Sequence, residues 1–496
     1  MALRSETAPY RWKMVGFHFV PTHPTFTLRS ETAPYRWKMV GFHFVPTFTG
    51  ESIMTKMTKE QKINLLPTYF KSLTVINVKC FRGKQTIDLS DGNGKYAQWT
   101  VILGDNNTGK TTLLRCLADL EPILFDYGTE TKEYYPNNVL RVKTQPQEQK
   151  RIIKFLEEKL FEESFSVTCL MFWEKPRGSS HFVTDDNIWG FTQSSWDDRD
   201  AAIDLAELSI RGLIIYGYGT ARRMGMSTLS EKDNEGNTAS LFSDNITLIN
   251  AEEWLLQTDY ASKNGVKAAI SRLDKIKEVL TSGILPDVTD FRFITTEELK
   301  SFVEFQTDYG WVRVDGLGYG YQTMIAWVVD LAKRLFDRYP DSNNPLAEPA
   351  IVLIDEIDLH LHPEWQRKII QFLTAQFPNT QFIVTSHSPL IVQSADNINL
   401  VLLEKKGEQV TMTQPDITTY KGWTIEEILS ELMGLGEETL SDSYLALIKQ
   451  FDDALDEEDY AKAKGAYDEL DKILHPESHQ RKLLRIQMSS LMPESV

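Results

Sequence analysis

The sequence has few cysteines, and their spacing suggests no pairing. Cys80, Cys116 and Cys169 are the only three in 496 residues, and no C-x-x-C pair occurs. Scattered single thiols are typical of proteins that stay in a reducing compartment. This usage favours a cytoplasmic protein.

The chain also lacks long apolar runs and an excess of basic residues. No run of 18 apolar residues occurs, so we expect no membrane-spanning segment. The net charge is −17, and residues 421–496 hold 17 acidic and 8 basic side chains. This balance argues against a broad basic face for sequence-independent DNA binding, but leaves a local basic groove or a basic protein partner open.

An exact repeat occupies the beginning of the chain. Residues 3–22 recur without change at 28–47, whereas structural repeats usually diverge outside their core positions. We interpret residues 1–53 as a duplicated extension that is not part of the fold, with a natural start at Met54 or Met57. A duplicated binding peptide built on its tyrosines and tryptophans is the alternative.

A phosphate-binding loop, the Walker A motif, follows a predicted strand at 99–103. It has the pattern G-x-x-x-x-G-K-T and leads into a helix-forming run. Its glycines let successive N–H groups point at phosphate oxygens, and the N-terminus of the helix adds positive potential. The spacing assigns Lys110 to the β- and γ-phosphates and the Thr111 hydroxyl to Mg²⁺. The predicted ATP-binding residues are Gly104, Asp105, Asn106, Asn107, Thr108, Gly109, Lys110, Thr111 and Thr112.

The order of predicted elements indicates an α/β fold, a mixed sheet flanked by helices. Residues 54–420 are predicted to form a P-loop ATPase domain, with a helical insertion at roughly 119–300. Within that region, helical stretches are predicted at 148–165, 197–209 and 251–281, and two arginines follow a strand at 213–218. We interpret Arg222 and Arg223 as a surface pair, with a phosphate or subunit contact as the alternative. Strands at 398–403 and 409–413 are predicted to form a closing hairpin. Residues 421–496 are predicted to form an acidic helical region.

A second apolar strand, 350–354, ends in a carboxylate pair. At the carboxyl end of a strand beside the phosphate loop, Asp355 is placed to hold Mg²⁺ and Glu356 to act as the base for an attacking water. This is a Walker B arrangement. His360 and His362 follow closely, but they lack the spacing and the additional ligands of a metal site. We therefore expect no metal on them.

Two further segments complete the set of motifs. His387 lies just past a buried strand at 381–385, in the sequence TSHSP, where a γ-phosphate contact is expected. The sequence GLGYGYQ at 316–322, here called the signature loop, places three glycines before a strongly apolar helix that is predicted to begin at about Gln322. A Gly-rich loop that opens a helix is a candidate anion site.

In the chain these four motifs follow the order phosphate loop, signature loop, Walker B strand and TSHSP. In this order they resemble the motifs of ABC-type ATPases, and within them the RecF, SMC and OLD-like group. An aspartate–glutamate pair followed by the sequence HLHP is typical of that group. The opening NVKCFRGKQTIDLS, the strand end YGYGTARR and the acidic tail look most like the PtuA family of Septu anti-phage ATPases, which are also retron-associated.

The resemblance implies a homodimer that sandwiches two ATP molecules and can build higher oligomers. It implies that Glu356 polarises water, that His387 senses the γ-phosphate, and that Thr111 and Asp355 serve Mg²⁺. The signature-loop residues Gly318, Gly320 and Gln322 would reach the other subunit's ATP, and Lys79 would contact the nucleotide. In the family the position of Gly318 usually carries a serine. Because a hydroxyl donor is missing here, we expect firm ATP binding and slow hydrolysis.

The chain shows no nuclease signature of its own, neither H-N-H nor topoisomerase–primase acidic residues. We therefore expect an ATPase subunit that controls a partner nuclease, of HNH type by the resemblance, docked on the C-terminal region. DNA or a retron RNA–DNA hybrid is a further expected partner. Two alternatives stay open, a RecF-like repair ATPase that acts directly on DNA and a scaffold that binds ATP without turnover.

Replacement of the phosphate-loop lysine tests the predicted ATP-binding site. The Lys110→Ala variant should lose ATP binding, because the loop loses the cation that faces the β- and γ-phosphates. Equilibrium binding of a fluorescent ATP analogue measures this loss. An affinity equal to that of the unmodified chain would refute the whole site assignment.

Overall fold

The computed structural model describes part of the chain, which divides into two compact units, 1–64 and 65–496. The described ranges of the larger unit are 67–126, 132–136, 166–173, 187–192, 212–226, 236–417, 419–435 and 441–490. The helices predicted at 148–165 and 197–209 lie outside these ranges. In the smaller unit, four short strands form an antiparallel sheet in the order β1-β2-β3-β4. They are β1 (Pro21–Thr22), β2 (Thr25–Leu28), β3 (Trp37–Val40) and β4 (His43–Pro46).

Six strands form the central sheet of the larger unit, in the order β12-β16-β17-β7-β18-β19. The first five run parallel and β19 pairs antiparallel with β18, so the sheet is mixed, as predicted. The strands are β7 (Trp99–Gly104), β12 (Ile215–Tyr218), β16 (Ala350–Ile354), β17 (Thr380–Ser386), β18 (Asn399–Lys406) and β19 (Gln409–Thr413). The phosphate-loop strand β7 therefore lies next to β17, and β17 lies next to the Walker B strand β16.

Both faces of this sheet are covered, which explains why β16 is apolar at every position. Its side chains alternate between faces. Ile351 and Leu353 pack into one apolar cluster, whereas Val352 and Ile354 pack into the other. All five residues of the strand are buried. A strand buried on both faces is expected inside a parallel sheet.

An antiparallel sheet in the order β11-β10-β5-β6 packs against one face of the central sheet. Its strands are β5 (Thr68–Val78), β6 (Phe81–Asp88), β10 (Ser166–Trp173) and β11 (Asn187–Thr192). The fully buried side chain of Gln381 on β17 links the two sheets. It accepts a hydrogen bond from the Phe70 amide and donates one to the Phe70 carbonyl, both at 2.9 Å. A buried amide satisfied in this way fixes β5 against the central sheet.

Helix α1 (Lys110–Ala118) follows the phosphate loop and packs into the same apolar cluster as β5. Strands β8 (Pro122–Asp126) and β9 (Lys132–Pro136) form a two-stranded ladder. Further helices and a small sheet pack into the cluster on the other face of the central sheet. The predicted helical stretch at 251–281 is two helices, α2 (Ala251–Lys263) and α3 (Lys267–Thr281). A three-stranded antiparallel sheet follows, consisting of β13 (Asp290–Thr295), β14 (Ser301–Thr307) and β15 (Gly310–Arg313).

The long helix α4 (Tyr319–Arg338) begins inside the signature loop, three residues before the predicted start, and twelve of its residues are buried. Short helices α5 (Pro363–Gln366), α6 (Ile369–Gln376), α7 (Pro389–Ser394) and α8 (Ile425–Glu427) follow the Walker B and TSHSP segments. The chain then forms α9 (Asp442–Asp456), α10 (Tyr460–Ile473) and α11 (His479–Ser490), which share a separate apolar cluster. Among the described helices, none has the length and apolarity needed to cross a membrane.

Candidate nucleotide-binding site

The phosphate loop connects β7 to α1, as the motif predicts. Gly109 stands at the start of α1 with a φ of 92°, in the left-handed region that favours glycine. A Cβ atom at this position would lie 2.7 Å from the Cys80 Sγ and 2.8 Å from the ring of Phe81. The turn between β5 and β6 therefore presses directly on the loop, and only glycine fits.

Lys110 lies within the curl of the loop. Its Nζ donates to the carbonyl oxygens of Gly104 at 2.6 Å and Asp105 at 2.8 Å. Burial lowers the pKa of Lys110, while the negative charges of Glu356 and Asp355 act in the opposite direction. The loop therefore places the Lys110 ammonium group close to the Walker B carboxylates.

A hydrogen-bond network joins the loop to the Walker B strand. The Thr111 hydroxyl donates to Asp355 Oδ2 at 2.7 Å, and the Thr385 hydroxyl donates to Asp355 Oδ1 at 2.6 Å. Asp355 is 4% exposed, so its two oxygens are fixed by these two donors. A hydroxyl and a carboxylate oxygen side by side are the ligand types that Mg²⁺ prefers. The structure thus brings together the two residues predicted to serve Mg²⁺.

Glu356 follows at once, with a left-handed backbone φ of 49°. Its amide donates to the Thr385 hydroxyl at 2.7 Å, so the same hydroxyl contacts both residues of the carboxylate pair. The sequence analysis assigned no role to Thr385. The signal it offered was a threonine that follows the apolar run 382–384 on a buried strand, directly before Ser386 and His387.

The interpretation of Arg222 as part of a surface pair is wrong. The residue is only 2% exposed, and its Nη2 donates to the Glu356 carbonyl at 2.7 Å. Arg223, in contrast, is exposed. Strand β12 pairs directly with β16, so the segment that leaves β12 runs beside the Walker B turn. Strand order, which the sequence does not reveal, accounts for the error.

His387 is half-buried at the end of β17, on the same edge of the sheet as the loop. Its backbone amide faces Asp358 Oδ1 at 3.4 Å. The γ-phosphate contact predicted for its ring stays a prediction.

The signature loop packs against the segment that follows the Walker B strand. A Cβ atom on Gly320 would lie 2.5 Å from the carbonyl oxygen of His360, so this contact requires glycine. The Tyr319 ring meets the His360 ring edge-on, with centroids 4.7 Å apart. Gln322 turns inward and donates to the Leu317 carbonyl at 2.8 Å. Gly318 is exposed.

The remaining candidates are placed as follows. Lys79 is half-buried in the β5–β6 turn that presses on the phosphate loop, and its pKa is lowered by burial and by Arg115. The His362 side chain accepts from the Glu364 amide and so caps α5. Across the part of the chain that the structure describes, no three His, Cys, Asp or Glu side chains are grouped as metal ligands.

A Walker A loop and a Walker B pair on neighbouring parts of one mixed sheet, with a Gly-rich loop opening α4, define a P-loop ATPase fold of the ABC type. The comparisons with known proteins agree. Residues 227–393 match the family described as "AAA domain, putative AbiEii toxin, Type IV TA system", and residues 72–120 match the family described as "AAA domain".

Three named relatives point to a narrower group of ATPases. Septu protein PtuA of Bacillus thuringiensis is 34% identical over 42% of this chain and 53% of its own length. Septu protein PtuA of Bacillus mycoides is 28% identical over 74% of this chain and 45% of its own length. The Retron Vc95 probable ATPase of Vibrio cholerae is 31% identical over 48% of this chain and 44% of its own length. The predicted resemblance to Septu and retron ATPases is confirmed.

The chain spans about half the length of these relatives.

Two solved structures were also matched. The SMC head bound to the C-terminal winged-helix domain of ScpA shares 17% identity at a TM-score of 0.37, covering 71% of this chain and 99% of that one. The SMC head domain of Thermotoga maritima shares 14% identity at a TM-score of 0.31, covering 70% and 99%.

The close contact of the signature loop leads to a stability prediction. The Gly320→Ala variant should lower the free energy of unfolding by roughly 1–3 kcal/mol, because the new methyl group collides with the His360 carbonyl. Alanine has the higher helix propensity, so a loss must come from the collision. Denaturant unfolding measures the change.

Gly318→Ala is the matched control. A Cβ atom there would meet only Tyr321 Cδ2 at 3.7 Å, an ordinary contact. Because Gly318 is the N-cap of α4, where alanine is less favourable than glycine, this variant should lose some stability, but less than Gly320→Ala. Equal stability of the Gly320 and Gly318 variants would contradict the packing described here.

Proposed function

We propose that this chain is the ATP-binding and slowly hydrolysing subunit of a bacterial anti-phage system, in which it controls a partner nuclease in the cytoplasm. The observation that carries the ATPase part is the network through Asp355. Thr111, Asp355, Thr385 and Glu356 are joined by hydrogen bonds of 2.6–2.7 Å at the end of the phosphate loop. The similarity to Septu and retron ATPases supports the defence part.

In this proposal, the amides of residues 104–112 and the Lys110 ammonium bind the phosphates of ATP. Thr111 and Asp355 hold Mg²⁺, which neutralises charge on the phosphates when it is bound. Glu356 orients and polarises the attacking water, and His387 contacts the γ-phosphate. Lys79, next to the loop, contacts the nucleotide from the side of the β5–β6 turn.

Two chains sandwich two ATP molecules in the proposed active form, and higher oligomers are built from this dimer. Gly318, Gly320 and Gln322 of one chain approach the nucleotide of the other. Gly318 offers no hydroxyl, and one missing preorganised donor costs on the order of 10²–10³ in rate. Slow turnover suits a switch whose nucleotide state is read by a partner.

The proposed dock for the nuclease is the C-terminal region. Residues 421–496 carry 17 acidic and 8 basic side chains, and an acidic surface steers a basic partner. Helices α9–α11 pack around their own apolar cluster, while Ile473, Leu483 and Ile486 stay exposed at 55–65%. Exposed apolar side chains within an acidic region suit protein docking. DNA or a retron RNA–DNA hybrid is the proposed trigger.

Removal of the base should separate ATP binding from hydrolysis. The Glu356→Gln variant keeps the shape of the side chain but cannot accept the proton of the water, so turnover should fall by about 10² or more. ATP should then stay trapped and the dimer should accumulate. Phosphate release and light scattering with Mg²⁺-ATP measure the two effects.

The Lys110→Ala variant is the control for this experiment, because without bound ATP it should stay monomeric. If the Glu356→Gln variant also remains monomeric with Mg²⁺-ATP, the sandwich is wrong. If it hydrolyses ATP at the unmodified rate, Glu356 is not the base.

The partner is tested by expressing the chain with its immediate genomic neighbours and weighing the purified complex by native mass spectrometry. Paired copies of this chain with a nuclease are the expected result. A dimer without a partner, whose turnover is stimulated by DNA, would favour direct repair. Tightly bound ATP without turnover would favour a scaffold.

A further inference from the structure

Among the described residues, Arg222 is the one buried arginine, and its guanidinium has one satisfied and one unsatisfied buried nitrogen. Its side chain reaches the Walker B turn, where Nη2 donates to the carbonyl of Glu356. Its Nε atom is also buried but lacks a hydrogen-bond partner among the described residues. A buried polar group without a partner is unfavourable for folding, so its retention calls for a reason.

The backbone that Arg222 contacts is strained. Glu356 has a φ of 49° and Arg222 itself a φ of 36°, values that side-chain-bearing residues rarely adopt. Such residues persist only where their surroundings hold them, and they are common at functional sites. Here two residues, in the segments that follow β12 and β16, adopt this conformation and meet through one hydrogen bond.

The Glu356 peptide is held from both sides. On one side its amide donates to the Thr385 hydroxyl at 2.7 Å. On the other side its carbonyl accepts from Arg222 at 2.7 Å and from the Leu359 amide at 3.0 Å. Thr385 also fixes Asp355, whereas the contact of Arg222 is specific to the Glu356 peptide.

The charge of Arg222 is balanced by the same site. Burial lowers the pKa of its guanidinium to about 10, while Asp358, Asp355, Glu356 and Tyr319 act to raise it. The group therefore stays protonated at neutral pH, where it is attracted to these three carboxylates. Asp358 also accepts a hydrogen bond from the backbone amide of His387, at 3.4 Å.

We propose that Arg222 is a positioning residue for Glu356. Its guanidinium holds the Glu356 carbonyl so that the turn keeps its left-handed conformation and the carboxylate stays aimed at the attacking water. This role rests on the proposed ATPase function. It gives a role to the segment YGYGTARR at 216–223, to which the mechanism proposed above assigns none.

The matched pair of variants is Arg222→Met and Arg223→Met. Both remove one positive charge from the same segment, but only Arg222 contacts Glu356, since Arg223 is exposed. In Arg222→Met, kcat should fall on the order of 10²-fold, as a misaligned catalytic group typically causes. The affinity for ATP should stay within about twofold, because the phosphate loop is untouched. Arg223→Met should behave like the unmodified chain.

A second measurement is independent of turnover. Hydrogen exchange of the peptide that covers residues 355–361 should accelerate in Arg222→Met, while strands β7 and β17 keep their protection. In the Glu356→Gln background, adding Arg222→Met should leave the ATP-dependent dimer intact, since a residue that acts through Glu356 has nothing further to lose.

The results of these measurements distinguish a positioning role of Arg222 from a general structural role. Unchanged exchange in 355–361, or unchanged kcat in an active enzyme, would overturn the positioning role. Faster exchange throughout the sheet, or a weakened dimer in the Glu356→Gln background, would show a general structural role and also overturn it. If the unmodified chain hydrolyses no ATP, the proposed function fails, and the exchange measurement still decides whether Arg222 holds the turn.

Discussion

The Asp355 carboxylate and its two hydroxyl donors are the interaction on which the site depends. Thr111 belongs to the helix after the phosphate loop and Thr385 to the neighbouring strand, so one carboxylate joins three elements that are far apart in the chain. Because the carboxylate is buried, each of its oxygens needs a donor, and the packing of the three elements supplies one to each. The mutual position of loop and carboxylate pair is therefore fixed by the fold before any nucleotide binds.

The central sheet makes this arrangement possible. Parallel pairing of β7, β17 and β16 brings their carboxyl ends to one edge, where the phosphate loop, His387 and the Asp355–Glu356 pair emerge. Apolar packing on both faces holds the strands in register, and Gln381 fixes the antiparallel sheet beside them. On the outer side, the signature loop is fastened to His360 by the close approach of Gly320 and by the Tyr319 ring. The signature loop and the Walker B turn thus share a packed boundary within one chain.

Much of this could be read from the sequence, because several motifs are contiguous. The phosphate loop, the strand 350–354 with its carboxylates and the hairpin at 399–413 lie where the pattern predicts them. The start of α4 was misplaced by three residues, since glycines and tyrosines at 318–321 read as a loop although Gly320 lies within the helix. Arg222 was misread for a different reason. Its partner Glu356 is 134 positions away, and burial of an arginine is visible only when strand order is known.

The sequence by itself determined the chemistry, a phosphate loop with a Walker B pair, because fixed spacing within short segments sets which side chains reach a phosphate or a metal. It also determined the class of relatives, since four motifs in one order are specific. Only the tertiary structure decided how the Walker B turn is held. The left-handed Glu356, the shared hydroxyl of Thr385 and the guanidinium of Arg222 meet through strand pairing between distant segments, and such contacts leave no local pattern in the chain.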